Sequence, residues 1–141
     1  MTPTATRPLR RLSPPGLLLV PPFVKRTDLA CTDPDVAALF YGGGEEEEDG
    51  RSSIARKAIA RCYACPALDE CRDWAVRRRE SGIWGGTTAA ERETIRKGEF
   101  WWPRVIGRCP RCRDLFAKLT TSQRYCSATC RNTSTSTRAA A

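Results

Sequence analysis

Eight cysteines and no histidine in a chain of 141 residues limit what this sequence can fold into more than any other feature. The hydrophobic fraction is 40 %, but part of it is Cys31, Cys62, Cys65, Cys71, Cys109, Cys112, Cys126 and Cys130. Without them, the remaining apolar side chains are too few for a stable core, and small chains in that position rely on disulfides or metals. The lack of histidine excludes His-based acid/base catalysis, Ser-His-Asp and Cys-His nucleophiles, and mixed Cys/His zinc fingers. A metal here must be held by thiolates, with Asp or Glu as the only minor ligands.

What the thiols do depends on the compartment. Leu17-Leu18-Leu19-Val20 follows Arg7, Arg10 and Arg11, as a signal peptide would. However, Pro14, Pro15, Pro21 and Pro22 confine the apolar run to about half a normal signal core, and no small-residue cleavage pattern follows. No stretch approaches the length of a membrane span, so no membrane partner is expected. The chain reads as cytoplasmic, where clustered thiols bind metal more often than they form a disulfide bond.

Charge and composition divide the chain. The net charge of +8 is concentrated at the two ends, whereas residues 28–100 are mildly acidic. Residues 1–27 are basic, Pro-rich and aperiodic, which predicts a disordered tail. The block Gly42-Gly43-Gly44-Glu45-Glu46-Glu47-Glu48-Asp49-Gly50 predicts a solvated loop. Residues 101–132 form a basic segment around the second cysteine cluster, and residues 133–141 are a Thr/Ser/Ala tail with no fold signal. Basic ends are drawn to polyphosphate, although they also simply favour solubility.

The middle predicts short helices. Asp33 caps one, with Pro34 at its first position. Ser53 starts a second, with Ile54, Ala58, Ile59 and Cys62 on one face. Pro66 opens a third, running from residue 67 to about 80, with Leu68, Cys71, Trp74 and Ala75 on one stripe and Gly82 as its stop. Thr88 and Glu91 make a capping box for a fourth, which ends near Gly98. The only strand expected lies in Leu115-Phe116-Ala117-Lys118-Leu119.

The first cysteine set, Cys31, Cys62, Cys65 and Cys71, has one close pair and two singles. A structural zinc site usually comes as two pairs, whereas an iron–sulfur cube suits thiolates arriving singly from different segments. Zinc, a disulfide pair and buried free cysteines remain open on spacing alone. Ala30-Cys31, Asp33-Pro34-Asp35, Leu39-Phe40-Tyr41, Cys62-Tyr63-Ala64-Cys65-Pro66, Cys71, Gly82-Ile83-Trp84-Gly85-Gly86 and Glu91-Arg92 together resemble the WhiB-like family of actinobacteria and their phages. The resemblance covers about residues 28–98. It departs from the family in Val36-Ala37-Ala38-Leu39, which separates Phe40 from the first cysteine, and in Tyr41, where a second Phe is common.

The resemblance implies a small helical domain wrapped around a [4Fe–4S] cluster on Cys31, Cys62, Cys65 and Cys71. It further implies docking on region 4 of the principal sigma factor, within RNA polymerase holoenzyme, through Gly82, Trp84, Gly85, Gly86, Phe40 and Tyr41. The glycines permit a turn that lifts Trp84 outward as an anchor; the other reading has Trp84 tucked over the cluster. A redox- or nitric-oxide-responsive switch follows from the resemblance, since losing the cluster releases the crosslink among four segments.

The second set, Cys109-Pro110-Arg111-Cys112 and Cys126-Ser127-Ala128-Thr129-Cys130, supplies two close pairs, the arrangement tetrahedral Zn²⁺ favours. A second iron cluster or a redox dithiol are the other readings. With Ser127 capping a short helix, residues 107–132 resemble the four-cysteine, treble-clef-like or zinc-ribbon fingers of bacterial and phage DNA-associated proteins. Arg104, Arg108, Arg111, Arg113, Lys118, Arg124 and Arg131 are the candidate promoter DNA contacts, and Trp101-Trp102-Pro103 is expected to pack between the modules. The expectation is thus a mainly α, two-module, non-enzymatic transcription regulator. Its alternatives are an apo-form protein disulfide reductase using Cys62 and Cys65, or a phage-type inhibitor of host sigma factor.

Overall fold

A computed structural model of the chain describes residues 21–41 and 52–139. The solvated Gly/Glu loop and most of the N-terminal tail expected to be disordered lie outside the described residues. Within them, five α-helices and one two-stranded sheet form in the order α1 (Pro34–Tyr41), α2 (Ser53–Tyr63), α3 (Leu68–Arg78), α4 (Ala89–Arg96), β1 (Ile106–Arg108), β2 (Leu115–Ala117) and α5 (Ala128–Ala139).

Local chemistry accounts for most boundaries. Pro34 opens α1, where its missing N–H costs nothing. Ser52 caps α2 by accepting a 3.0 Å bond from the Ala55 N–H. The capping box of α4 is complete: the Glu91 N–H donates to Thr88 Oγ1 at 3.2 Å, and the Thr88 N–H donates to the Glu91 carboxylate at 2.8 Å. The third helix departs from expectation. It stops at Arg79, which takes the left-handed conformation (φ +56°), before the chain reaches Gly82. The Arg79 N–H donates to the Ala75 carbonyl, so an ordinary residue carries the strain of the helix end.

The core is built around α2. Ala55, Ala58, Ile59 and Cys62 are buried together with Ile83, and Phe40, Tyr63, Leu68 and Ile106 pack against them. Ile54, expected on this face, is 44 % exposed, and Ala55 takes the inward position. The small alanines let a strand approach closely. Ala117 of β2 is fully buried in the same cluster, so the C-terminal segment shares the core of the helical part rather than hanging from it. The register pairs Ile106 with Ala117, Gly107 with Phe116 and Arg108 with Leu115.

Two segments expected to be structureless have structure. Pro22–Lys25 forms a 3-10 turn that buries Phe23, with its ring edge-on to Trp74 at 6.4 Å. α5 continues through Ala139, because nothing in its Thr/Ser/Ala run breaks a helix already started at Ala128. Tails of low apolar content read as disordered in isolation, but one aromatic or one helix start is enough to order them locally.

Candidate metal centres

Three segments bring the first four thiols to one place. Cys31 lies in a 3-10 turn (Ala30–Thr32), Cys62 in the last turn of α2, Cys65 just after it, and Cys71 in α3. Cys31, Cys65 and Cys71 pack with Trp74 and Trp84 on a buried floor of Phe23, Leu29 and Ala67, and Cys62, buried in the adjoining α2 core, is near enough to interact electrostatically with all three. Burial pushes the Cys62 thiol up to about 12, and the facing thiols of Cys71, Cys65 and Cys31 add to this. Burial likewise raises Cys71 to about 11 and also raises Cys31. Such a pocket disfavours bare thiolates, so a metal group held there would have to supply the compensating charge and displace the protons.

The glycine turn aims backbone donors into this pocket. The Gly86 amide opposes the rise at Cys62, and the Gly85 amide does so at Cys71. Both glycines have positive φ, +52° for Gly85 and +70° for Gly86. A Cβ on Gly86 would stand 2.8 Å from the Tyr63 ring, and one on Gly85 would meet the Arg72 backbone. Only glycine allows the turn to come this close. Amides directed at cysteine sulfurs are the contacts that tune an iron–sulfur group.

Arg92, which the sequence motif includes but to which no role was attached, holds this turn in place. It is 2 % exposed. Its guanidinium donates to the carbonyls of Thr87 at 2.6 Å, Glu80 at 2.7 Å and Gly82 at 2.7 Å. Burial pulls its pKa below the ordinary value, while Cys71, Glu91, Glu80 and Cys62 act in the opposite direction. The cation therefore sits beside the thiol pocket and ties both ends of Gly82-Ile83-Trp84-Gly85-Gly86 to α4. Its reach across twelve residues carries no local signal in the sequence.

The second four thiols are arranged differently. The Sγ atoms of Cys109, Cys112, Cys126 and Cys130 all lie within 4.8 Å of one another. Cys112 and Cys126 are 3.5 Å apart, and Cys126 and Cys130 3.6 Å. Among the described residues this is the one group of three or more potential ligands close enough to share a single ion. Burial raises Cys109, but the amides of Cys112, Cys126 and Arg111 and the Cys112 side chain outweigh it and bring the thiol down to about 6. Ser127 Oγ accepts the Cys130 N–H at 3.1 Å, fixing Cys130 in the first turn of α5. The first four thiols are spread more widely, as suits a metal group larger than one ion.

The remaining expected site residues divide. Trp84 does not stand clear of the body: it is half-buried against the Phe23, Leu29 and Ala67 floor, and its indole N–H donates to the Ser81 carbonyl at 2.8 Å. Phe40 packs on the α2 core, and the Tyr41 side chain lies outside the described residues. Arg104 is engaged within the chain, with its guanidinium 2.8 Å from the Glu91 carboxylate and its N–H donating to the Tyr63 hydroxyl at 2.7 Å. Lys118 is half-buried and donates to the Thr121 carbonyl. Arg108, Arg111, Arg113, Arg124 and Arg131 are exposed. Trp101 lies under the Arg72 guanidinium of α3 at 4.8 Å. Trp102 is 74 % exposed, contrary to the packing between modules expected of it.

No helix among the described residues is long and apolar enough to cross a membrane. No solved structure matches the chain. The family model described as Transcription factor WhiB matches residues 26–95, the span that holds the first four cysteines and the glycine turn and ends before the second four. Among curated proteins, the redox- and pH-responsive transcriptional regulator WhiB3 of Mycobacterium tuberculosis is 33 % identical over 81 residues, covering 55 % of this chain and 76 % of that protein. The transcriptional regulator WhiD of Streptomyces coelicolor is 38 % identical over 69 residues, 47 % of this chain and 59 % of that protein. The transcriptional regulator WhiB1 of Mycobacterium tuberculosis is 31 % identical over 75 residues, 51 % of this chain and 83 % of that protein. With the cysteine order, the glycine turn and these matches falling on the same residues, the chain belongs to the WhiB family of transcription factors.

Proposed function

We propose that this protein is a cytoplasmic, cluster-bearing transcription regulator in which Cys31, Cys62, Cys65 and Cys71 hold a [4Fe–4S] cluster. The observation that carries the reading is the convergence of four thiols, from the 3-10 turn, the end of α2 and α3, on one pocket capped by the Gly85 and Gly86 amides. When bound, the cluster supplies an iron core that reacts with oxygen or nitric oxide. The chain's own residues do the rest. Cys31 ties the N-terminal segment to α2 and α3, Arg92 fixes the turn, and the Phe23, Trp74 and Trp84 side chains limit access of water.

The surface beside the cluster is the docking site for region 4 of the principal sigma factor. Gly82 and the half-exposed face of Trp84 form its centre, and Phe40 acts from beneath as core support. Because Trp84 rests on the same floor as three of the thiols, loss of the cluster loosens the anchor directly. Promoter DNA is met by the exposed Arg108, Arg111, Arg113, Arg124 and Arg131, with Arg104 and Lys118 in structural roles. A disulfide reductase fits less well. It needs a readily ionised thiol, and burial holds the Cys62 thiol far above that range.

Anaerobic full-length protein, mixed with region 4 of the principal sigma factor, tests the reading. The expected result is a brown protein that co-elutes with the sigma fragment and is released when air or nitric oxide bleaches it. Binding that is unchanged after bleaching contradicts the switch, and a reporter at defined promoters separates activation from phage-type inhibition of host transcription.

A further inference from the structure

The finger and the helical part meet along α2, and the contacts are specific. One guanidinium nitrogen of Arg56 donates to the backbone carbonyl of Cys126, and the same group lies 5.6 Å over the Phe116 ring. Arg56 is only 5 % exposed. Lys57 Nζ sits 2.7 Å from Asp114 Oδ2, inside the loop between the two finger strands. Ala117 completes the contact by entering the α2 core. The adjacent residues Arg56 and Lys57 therefore reach both halves of the finger, one toward each cysteine pair.

By itself the finger cannot hold this shape. Its two strands have three residues each. Its own buried cluster is Phe116 with Cys109 and Cys126, supported by Tyr125 and Cys130. One large apolar side chain does not offset the ordering of roughly two dozen residues, so a crosslink is required. A disulfide is a poor candidate, because Cys126 is about equally near Cys112 and Cys130. Four sulfurs around a tetrahedral ion with Zn–S of about 2.3 Å would stand roughly 3.8 Å apart, close to the observed spacings. Four thiolates around a divalent ion leave a double negative charge. The amides at Cys109 and the cation of Arg56 are placed to offset it, whereas the charge of Lys57 is met by Asp114. Zn²⁺ binds such sites more tightly than Fe²⁺ does.

We propose that Cys109, Cys112, Cys126 and Cys130 bind one Zn²⁺ ion, and that this ion latches the finger onto α2 through Arg56, Lys57 and Ala117. The site lies outside the stretch that matches the family. The proposal goes beyond the regulator reading and does not depend on the first cysteine set holding a cluster.

The test uses the full-length chain, purified anaerobically, with zinc and iron counted in the same sample and backbone amide exchange followed by mass spectrometry. Wild-type protein should carry about one zinc per chain. Cys112 is exposed, so Cys112→Ser disturbs packing least; it should lower bound zinc about tenfold or more. In that variant, amides of β2 and of the Ala55 to Ile59 stretch of α2 should exchange faster, while those of α4 stay as in wild type. Lys57→Met, which touches no thiol, should keep zinc at the wild-type level and speed β2 exchange about two- to fivefold. Zinc-free wild-type protein, iron or a disulfide on the four finger cysteines, or zinc unmoved by Cys112→Ser would overturn the site. Unchanged exchange along β2 and α2 in both variants would overturn the latch.

Discussion

The two cysteine sets of this chain use the same ligand atom in opposite ways. The finger gathers its four sulfurs within 4.8 Å by local turns, two knuckles each written in a few consecutive residues. The helical part draws its four from segments as far apart as residues 31 and 71, three of them on a floor that spans Phe23 to Trp84 and the fourth, Cys62, in the α2 core. A tight set needs little from the rest of the fold and can be read from spacing alone. A wide set needs the fold to be built already, and it passes any change at the metal to every segment it joins. That difference fits a structural role for the finger centre and a switching role for the other.

The largest expected effect comes from breaking the wide set at its most buried member. Cys62→Ser should abolish the visible chromophore of anaerobic protein and lower helical content, whereas Cys112→Ser should remove zinc and leave the colour. If both variants lose both metals, the two centres are not separable. Next is Arg92→Met, which strands the carbonyls of Thr87, Glu80 and Gly82. It should cost about 3 kcal/mol or more, read as a fall in thermal midpoint, because buried acceptors lose their donors. Gly86→Ala should cost about 1–3 kcal/mol through its positive φ and the Tyr63 ring, and should speed loss of the chromophore in air. Gly82→Ala has the same φ problem but no neighbour within 4 Å, so its effect should be smaller.

The smallest effect concerns the seam between the regions. Lys57 and Asp114 are a partly exposed pair, and Lys57→Met should cost less than about 1 kcal/mol in thermal melts. Lys57 holds the Asp114 carboxyl below its usual value, with burial opposing. The pair's contribution is therefore present above about pH 4 and lost as the pH falls further. A melting series in acid that shows the same loss in wild type and Lys57→Met would remove this contact from the latch.

Much of this was legible in the residues because it is local. Pro34 at a first helical position, the Thr88 and Glu91 box and the Ser127 cap each act within three or four positions. The two knuckles of the finger are equally short-range. What was not legible depends on distant partners. Arg92 gives no sign in sequence that it will bind carbonyls five to twelve residues away. Ile54 and Ala55 differ in apolar size, yet the smaller one faces inward because β2 must approach there. Phe23 orders a Pro-rich segment only because Trp74 waits for it across the pocket. The docking of Ala117 into the α2 core could not be read from a strand of three residues. The glycine turn stood between these cases: its flexibility was evident, but Trp84 resting on the thiol floor depended on residues 23, 29 and 67.

X-ray absorption at the iron and zinc edges of one anaerobic sample tests the contrast between the two centres most directly. The account predicts iron with sulfur neighbours and nearby iron, and zinc with four sulfurs at about 2.3 Å and no metal neighbour. Zinc alone, filling both sets with single-ion geometry, would contradict it.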